Sequence, residues 1–441
     1  MEIKEKYRIL TKLSMPVMIS YLAYQLLGFT DILMVGQLGK DAITSVGLAL
    51  TFFFFIFFPV DGLLESVTIL IAKNYGKKDL IMVKKIFKNA LVVCVAAGLI
   101  AMIAYIPMSF ILDKMSQTDE IAKNSKIYLL LSLFGIIPQC ATGIINRLFL
   151  GCGKTKPIAI FSNMIVIINI ILTYCLVFGK LGFPQMGVAG SALGTLIAKL
   201  IGFIMAFIYY LKIRRKILNV NEKVKISSNT IKEIMKTGYP VAQTNFIEIT
   251  AWTVFIAVIN KYGSSSMAAH EIGMKIKDIA YLPGSALGIV VTNLAGNFLG
   301  EKDYEKVKEY TYAAVKSAVF IMGIFGIIFF IFPHFLVSMF TKDKEVLELG
   351  SHILRIMALY QITDAVFIVF KGVLNGINDT KYVRNYILIG SWVIMVPISF
   401  ILAVVFKLGV IGAWVGLTIY VTVIGMFYFA RFRKRYINKF V

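Results

Sequence analysis

Acidic residues are scarce in this 441-residue chain, with 24 Asp and Glu against 46 Lys and Arg, and there are only four cysteines. Cys94, Cys140 and Cys175 fall in apolar runs and Cys152 in a short basic connector, so free thiols are expected and a disulfide framework is not. Polar stretches of any length are also rare. With 58% hydrophobic residues, 13% aromatics and a mean hydropathy of +0.80, the composition excludes an ordinary soluble domain. No small-residue cleavage site follows the opening MEIKEKYRILTK, so the first apolar run is not read as a removable signal peptide.

What the chain has in abundance is apolar runs of membrane-spanning length. The hydrocarbon core needs about 20 apolar residues per helix, and by that rule there are twelve candidate spans, beginning near residues 13, 43, 89, 127, 158, 188, 238, 268, 314, 351, 384 and 409. Barrel strands would be shorter and would alternate polar with apolar residues, and these runs do neither. The expected fold class is all-α, integral to a membrane.

A net charge of +22 raises the question of nucleic acid. With both termini cytoplasmic, roughly 32 of the Lys and Arg residues fall in the termini and even-numbered connectors and roughly 9 in the other connectors, which is the asymmetry that orients a membrane protein. Clusters such as KIRRK (212–216) and RFRKR (431–435) accordingly read as stop-transfer and anionic-lipid contacts, and no nucleic-acid partner is expected.

The sequence also repeats. Sliding it by 224 residues lays Pro16 on Pro240, Gly39 on Gly263, Pro59 on Pro283, Gly76 on Gly300, Lys78 on Lys302 and Asp79 on Asp303. A shift of 225 lays GCGKTK (151–156) on GINDTK (376–381), and one of 222 lays GVAGSALG (187–194) on GVIGAWVG (409–416). Each copy holds six spans, an even number, so the two repeats are expected to be parallel, with a substrate path between them as in many secondary transporters. The expected organisation is an N-terminal lobe (1–211), a cytoplasmic linker (212–236) and a C-terminal lobe (237–441). The paired prolines read either as static kinks or as bending points.

Three acids interrupt apolar runs: Asp31 in GFTDILMVGQLG, Glu248 in TNFIEITAWTVFIAVIN and Asp364 in LYQITDAVFIVFKGVLNG. A carboxylate at the centre of a spanning helix costs about 2.5 to 3.5 kcal/mol on insertion scales, so each calls for a cavity or a partner. The repeat supplies none of them twice: Asp31 falls opposite Phe255, Glu248 opposite Tyr24 and Asp364 opposite Gln139. Acids placed independently of the scaffold favour a functional role over a purely structural one. Asp61 and Glu65 share a face of the second span and Lys199 lies centrally in the sixth; they read as a structural ion pair within the first lobe or as an accessory polar network on a substrate or proton path. Lys275, Lys277 and Asp278 suggest a water-filled face on the eighth span. Lys371 and Arg355 flank Asp364 and either snorkel to the two membrane surfaces or tune that acid.

The run MPVMISYLAYQLLGFTDILMVGQLGKDAITSVGLAL, the element VTNLAGNFLGEKD and the turn LNGINDTK resemble the multidrug and toxic compound extrusion (MATE) transporters, over essentially the whole chain. The resemblance implies a V-shaped fold of two six-helix lobes and a bacterial cytoplasmic-membrane antiporter. Such a protein is no enzyme and has no cofactor, and it exports amphiphilic, often cationic, compounds as Na⁺ or H⁺ enters; a monomer in contact with membrane lipid is expected. In the family's NorM-like branch the positions of Glu248 and Asp364 hold the coupling cation, with Tyr281 and Tyr360 beside it. Asp31 matches an acid of the N-terminal cavity, which the DinF-like branch pairs with an Asn and a second Asp; here Asn169 is present but Thr173 replaces the second acid. That departure makes Asp31 a protonation switch or substrate contact rather than part of a full sodium cage. No metal is expected beyond the transported ion. An intramembrane aspartyl protease would need two acids around one water, and Asp31 and Asp364 belong to different lobes. A lipid-linked saccharide flippase of the same superfamily stands as the alternative, because Lys199, Lys275 and Lys277 suit a pyrophosphate.

Overall fold

The computed structural model describes residues 3–116, 118–218 and 224–437, and among these there is no β-strand. Twelve helices are long and apolar enough to cross a membrane: Lys4–Gly36, Asp41–Gly76, Leu80–Met115, Asp119–Gly151, Lys156–Phe178, Gly187–Arg214, Ser228–Asn260, Ser264–Glu301, Tyr304–Ile331, Lys344–Gly376, Thr380–Val405 and Gly409–Arg435. They are the twelve expected spans. Several begin well before their apolar run, the third at Leu80 and the ninth at Tyr304, because a cap and not hydropathy sets the helix end. Asp79 accepts the backbone N–H of Met82 at 2.9 Å, and Asp303 that of Lys306 at 3.1 Å.

The repeat extends to backbone conformation. Gly39 and Gly263, 224 residues apart, precede the second and eighth spans with φ of 111° and 86°. Lys78 and Lys302 close those same spans at φ 60° and 62°, a left-handed turn that a non-glycine residue adopts only when its surroundings require it. Gly153 and Asn378 (φ 68° and 64°), then Gly187 and Gly409 (φ 55° and 59°), repeat at the other two offsets. Close helix packing repeats too. A Cβ at Gly190 or Gly194 would run into the backbone of Leu176 and Thr173, and one at Gly412 or Gly416 into that of Leu402 and Ser399, so the fifth and sixth spans meet as the eleventh and twelfth do.

Prolines locate the irregular stretches. The third span breaks at Ala104, three residues before Pro107, and the fourth at Gly135, three residues before Pro138, as expected where a proline ring crowds the preceding turn. The eleventh span has π-helical turns at Gly390–Met395 and Ile401–Val405 on either side of Pro397. Pro16, Pro59, Pro240 and Pro283 all lie inside helices.

By packing, the chain forms two compact units, Ile19–Ala242 and Met1–Met18 with Gln243–Val441. Both boundaries fall inside a helix, at positions 224 residues apart. In the unit that includes the first residues, Lys6 pairs with Glu309 at 2.8 Å. Of the expected linker 212–236, residues 219–223 lie outside the described residues; beyond them, the Ser227 N–H donates to Asn89 at 2.8 Å and Lys88 to the Val224 carbonyl at 2.9 Å. In the cluster RFRKR, Arg431 and Arg435 clamp Asp379 at 2.9 and 2.7 Å, so part of the charge read as lipid-facing is taken up by the turn after the tenth span. All four cysteines are buried and free.

Candidate functional site

In the second unit the polar interior is built on the eighth and tenth spans. Asp364 is 3% exposed, has Tyr360 beside it one turn earlier, and keeps its Oδ2 without a partner. Two cations face it, Lys277 and then Lys371. The Lys277 ammonium lies over the Tyr281 ring at 5.1 Å and over the Tyr360 ring at 5.9 Å, so both tyrosines singled out in the sequence belong to one group with Asp364. Glu248 is held otherwise: its Oε1 accepts from Lys371 at 2.6 Å. Lys371 therefore spends its charge inside the protein instead of snorkelling to a membrane surface, while Arg355 is exposed. Of the eighth-span cluster, Lys277 turns inward and Lys275 outward, with Asp278 half-buried.

Sequence reasoning missed the rest of this interior. Trp414 stands edge-on to Tyr360 at 6.4 Å, and His270 lies 5.6 Å from Trp414. The His270 Nδ1, the Trp414 indole nitrogen and both amide atoms of Gln361 are buried without a hydrogen-bond partner. Buried polar atoms are nearly always satisfied, so these, together with the open oxygen of Asp364, are unfilled hydrogen-bonding capacity in this interior. A histidine and a tryptophan on otherwise apolar helix faces were the available signal.

In the first unit Asp31, 3% exposed, is satisfied on both oxygens. Thr195 donates to Oδ2 at 2.9 Å and Thr173 to Oδ1 at 3.4 Å, while the Asn169 amide donates to both hydroxyls, at 2.8 and 3.3 Å. Asn169 and Thr173, noted from the sequence, are thus brought to Asp31. Thr195 was missed; it lies four residues beyond Ser191 on the small-residue face of the sixth span, where the close approach of the fifth span carries it to the acid. Every group in this shell donates toward the carboxylate. Lys199 faces Asp31 as well, its ammonium over the Phe53 ring at 5.1 Å.

Asp61 pairs with Arg147 at 2.6 Å, and Arg147 also donates to the Asp61 carbonyl at 3.2 Å. Glu65 acts on the same arginine. Of the three residues grouped as an accessory network, Asp61 therefore pairs with Arg147, which the sequence reading overlooked, with the charge of Glu65 nearby, whereas Lys199 belongs with Asp31. Among the described residues no three His, Cys, Asp or Glu side chains group closely enough to hold a metal ion.

Six spans repeated, with carboxylates and amides buried inside each copy, define a multi-pass membrane protein of the transporter class. The MatE family model matches residues 16–175 and again 240–401, and the chain belongs to that family. It is 27% identical over 425 residues to a probable multidrug resistance protein NorM of Thermotoga maritima, covering 94% of this chain and 90% of that one. A Pasteurella multocida protein of the same name is 27% identical over 433 residues, covering 96% and 92%. Among solved structures, an outward-facing multidrug resistance MATE family transporter of the MOP superfamily superposes with a TM-score of 0.89 at 20% identity, covering 98% of this chain and 96% of that one. A MOP superfamily transporter from Pyrococcus furiosus, described as having a binding pocket of reversed polarity, gives the same TM-score, identity and coverage.

Proposed function

We propose that this protein is a multidrug efflux antiporter of the bacterial cytoplasmic membrane, with both termini inside the cell. In this reading it is a monomer without a resident cofactor, and it exports amphiphilic, often cationic, compounds as Na⁺ or H⁺ enters. The observation that carries the reading is Asp364: a carboxylate buried among tyrosine rings with one oxygen unpartnered is a seat for a proton, a sodium ion or an organic cation. The probable multidrug resistance relatives supply the substrate class. Asp31, its oxygens already satisfied, is assigned to proton exchange or substrate contact in the first unit.

The driving force is sufficient. One charge crossing a potential of about 150 mV supplies roughly 3.5 kcal/mol, which supports about a 300-fold gradient of a neutral substrate. A monovalent cation exchanged one for one cancels the electrical part, leaving the concentration gradient of the coupling ion to drive export.

The test is efflux of a fluorescent lipophilic cation from vesicles in which Na⁺ and H⁺ gradients are imposed separately, for the wild type, Asp31→Asn, Glu248→Gln and Asp364→Asn. Export driven by a single ion and abolished by Asp364→Asn is the expected result. Export that survives collapse of both gradients defeats the reading. A flippase for lipid-linked saccharides is the second reading, favoured by the buried Lys277, which suits a pyrophosphate. It predicts a cell-envelope defect on deletion without any loss of drug tolerance.

A further inference from the structure

Lys277 is only 9% exposed, yet among the described residues it makes no ion pair; its ammonium instead lies over the rings of Tyr281 and Tyr360. An ammonium over aromatic faces is how proteins hold a cationic ligand. The carboxylate that completes such a site is Asp364, on which Lys277 is the leading cation, and its Oδ2 is open.

The first unit supplies an independent observation. At the repeat offsets Lys277 falls opposite Phe53 and Tyr360 opposite Gly135. The Phe53 ring carries the Lys199 ammonium at 5.1 Å, and the stem of Lys199 lies so close to Gly135 that a Cβ there would be 3.3 Å from its Cδ. Lys199 in turn faces Asp31. An ammonium therefore occupies the corresponding place in both units, delivered from the sixth span in one and from the eighth in the other. Inheritance from a common ancestor of the two halves does not produce that exchange, because the two lysines are not repeat-related.

We infer that Lys277 is a tethered ammonium filling the aromatic cation subsite beside Asp364, and that a transported cation reaches Asp364 only by displacing it. The inference rests on the proposed reading that a cation is carried, and adds that the site competes with itself. A resident ammonium keeps the carboxylate from standing bare when the guest has left. It also lowers apparent affinity by the fraction of time it is in place, which helps release. Two groups stand ready for the displaced amine. Asp278 is next in the chain and half-buried; His270, seven residues earlier and so on the same helix face, offers the unpartnered Nδ1.

The experiment is equilibrium binding of tetraphenylphosphonium, and separately of Na⁺, to the purified full-length protein in lipid nanodiscs. Intrinsic fluorescence is a suitable readout, since Trp414 is one of only three tryptophans and lies 6.4 Å from Tyr360. Removing a like charge from the subsite is expected to tighten binding of one or both probes by about 10-fold to 100-fold in Lys277→Met and Lys277→Gln. Lys277→Arg should bind as the wild type does, and Asp364→Asn added to Lys277→Met should abolish the gain. The inference is overturned if either neutral variant keeps the wild-type unfolding midpoint and binds both probes no more tightly. It is equally overturned if Lys277→Arg gains as much as Lys277→Met, or if both neutral variants fail to fold, which would make Lys277 a structural group. Wild-type vesicles that export nothing under either gradient defeat the transport reading, whereas the binding series is read on its own.

Discussion

The two units share a backbone and differ in what they bury. Turns at Gly39 and Gly263, Lys78 and Lys302, Gly153 and Asn378, and Gly187 and Gly409 have matching left-handed φ values, and the same pairs of spans meet through glycine. At two helix positions where the first unit carries Tyr24 and Gln139, the Gln139 amide donates to the Tyr24 hydroxyl. The second unit carries Glu248 and Asp364 there, and two acids cannot satisfy each other in that way when ionised. Lys371 is recruited to Glu248, and Asp364 is left with Tyr360 and an open oxygen. A hydrogen-bonded amide and phenol in one copy correspond to two separately held carboxyl groups in the other. Duplication fixes where side chains can meet, and the chemistry of the meeting is free to change, because backbone hydrogen bonds inside a bilayer are indispensable while interior side chains need only a partner.

The sharpest contrast lies where the fourth span meets the second, and the tenth the eighth. In the second unit Gly372 and Gly376 lie directly on the backbone of Gly288 and Thr292, and the Thr292 hydroxyl donates to the Gly372 carbonyl at 2.8 Å. In the first unit the position of Gly372 is Arg147. The largest effect is therefore expected from Gly376→Ala, whose Cβ would strike the Thr292 carbonyl oxygen, an atom that moves only with the whole helix. A loss of about 3 kcal/mol, or failure to accumulate folded protein, is expected. Gly151→Ala, the equivalent change in the first unit, meets the side chain of Ile71 and should cost less, about 1 kcal/mol. Thermal unfolding of both variants in detergent checks the order, and equal losses would mean that the two helix pairs are packed alike after all.

The next effect is that of the charge that replaces the glycine. Arg147→Met strips Asp61 of its partner and is expected to cost about 1 to 3 kcal/mol, the range for a partly buried acid left alone. Copying both residues from the second unit, as Asp61→Ser with Arg147→Gly, removes the pair together. The double variant should recover at least half of that loss in the same unfolding assay. If it is instead worse than the single change, Arg147 is needed for packing and not only for its charge.

Much of this was legible in the sequence, and what was not has physical reasons. Apolar runs located all twelve spans because a bilayer demands their length, and the internal offsets located turns whose conformations do repeat. Asp31 was found because an acid in such a run stands out, and Asn169 and Thr173 because the fifth span resembles the family's. Thr195 and Trp414 were not, since a threonine or tryptophan in an apolar helix is ordinary and only packing shows that it reaches a carboxylate or a tyrosine. Arg147 was overlooked because it sits close to a helix end, where an arginine is assumed to reach the membrane surface. Snorkelling was one of the two readings of Lys371 for the same reason, and the side chain points to Glu248 instead. Periodicity tells which face of a helix a residue occupies, and the partner on the neighbouring helix comes from the fold.

The smallest effect concerns a feature that the two units share. Asp79 and Asp303 cap the third and ninth spans in the same way, and Asp303 also pairs with Lys306 at 2.7 Å. Asp79→Ala and Asp303→Ala should each cost about 1 kcal/mol as lost caps, with the surface pair adding at most a few tenths to the second. The side chain and backbone N–H of Lys306 hold the Asp303 carboxyl below the usual carboxylate range. Because that pKa is depressed on folding, its contribution is complete above the unfolded value of about 4 and is lost as pH falls through the folded one. Asp303→Ala should therefore lower the unfolding midpoint at pH 7 and make progressively less difference as the buffer is taken below pH 4. A deficit that stays constant into acid would show that the Asp303 side chain caps the helix without need of its charge, and no deficit at any pH that the backbone turn at Lys302 alone sets the helix end.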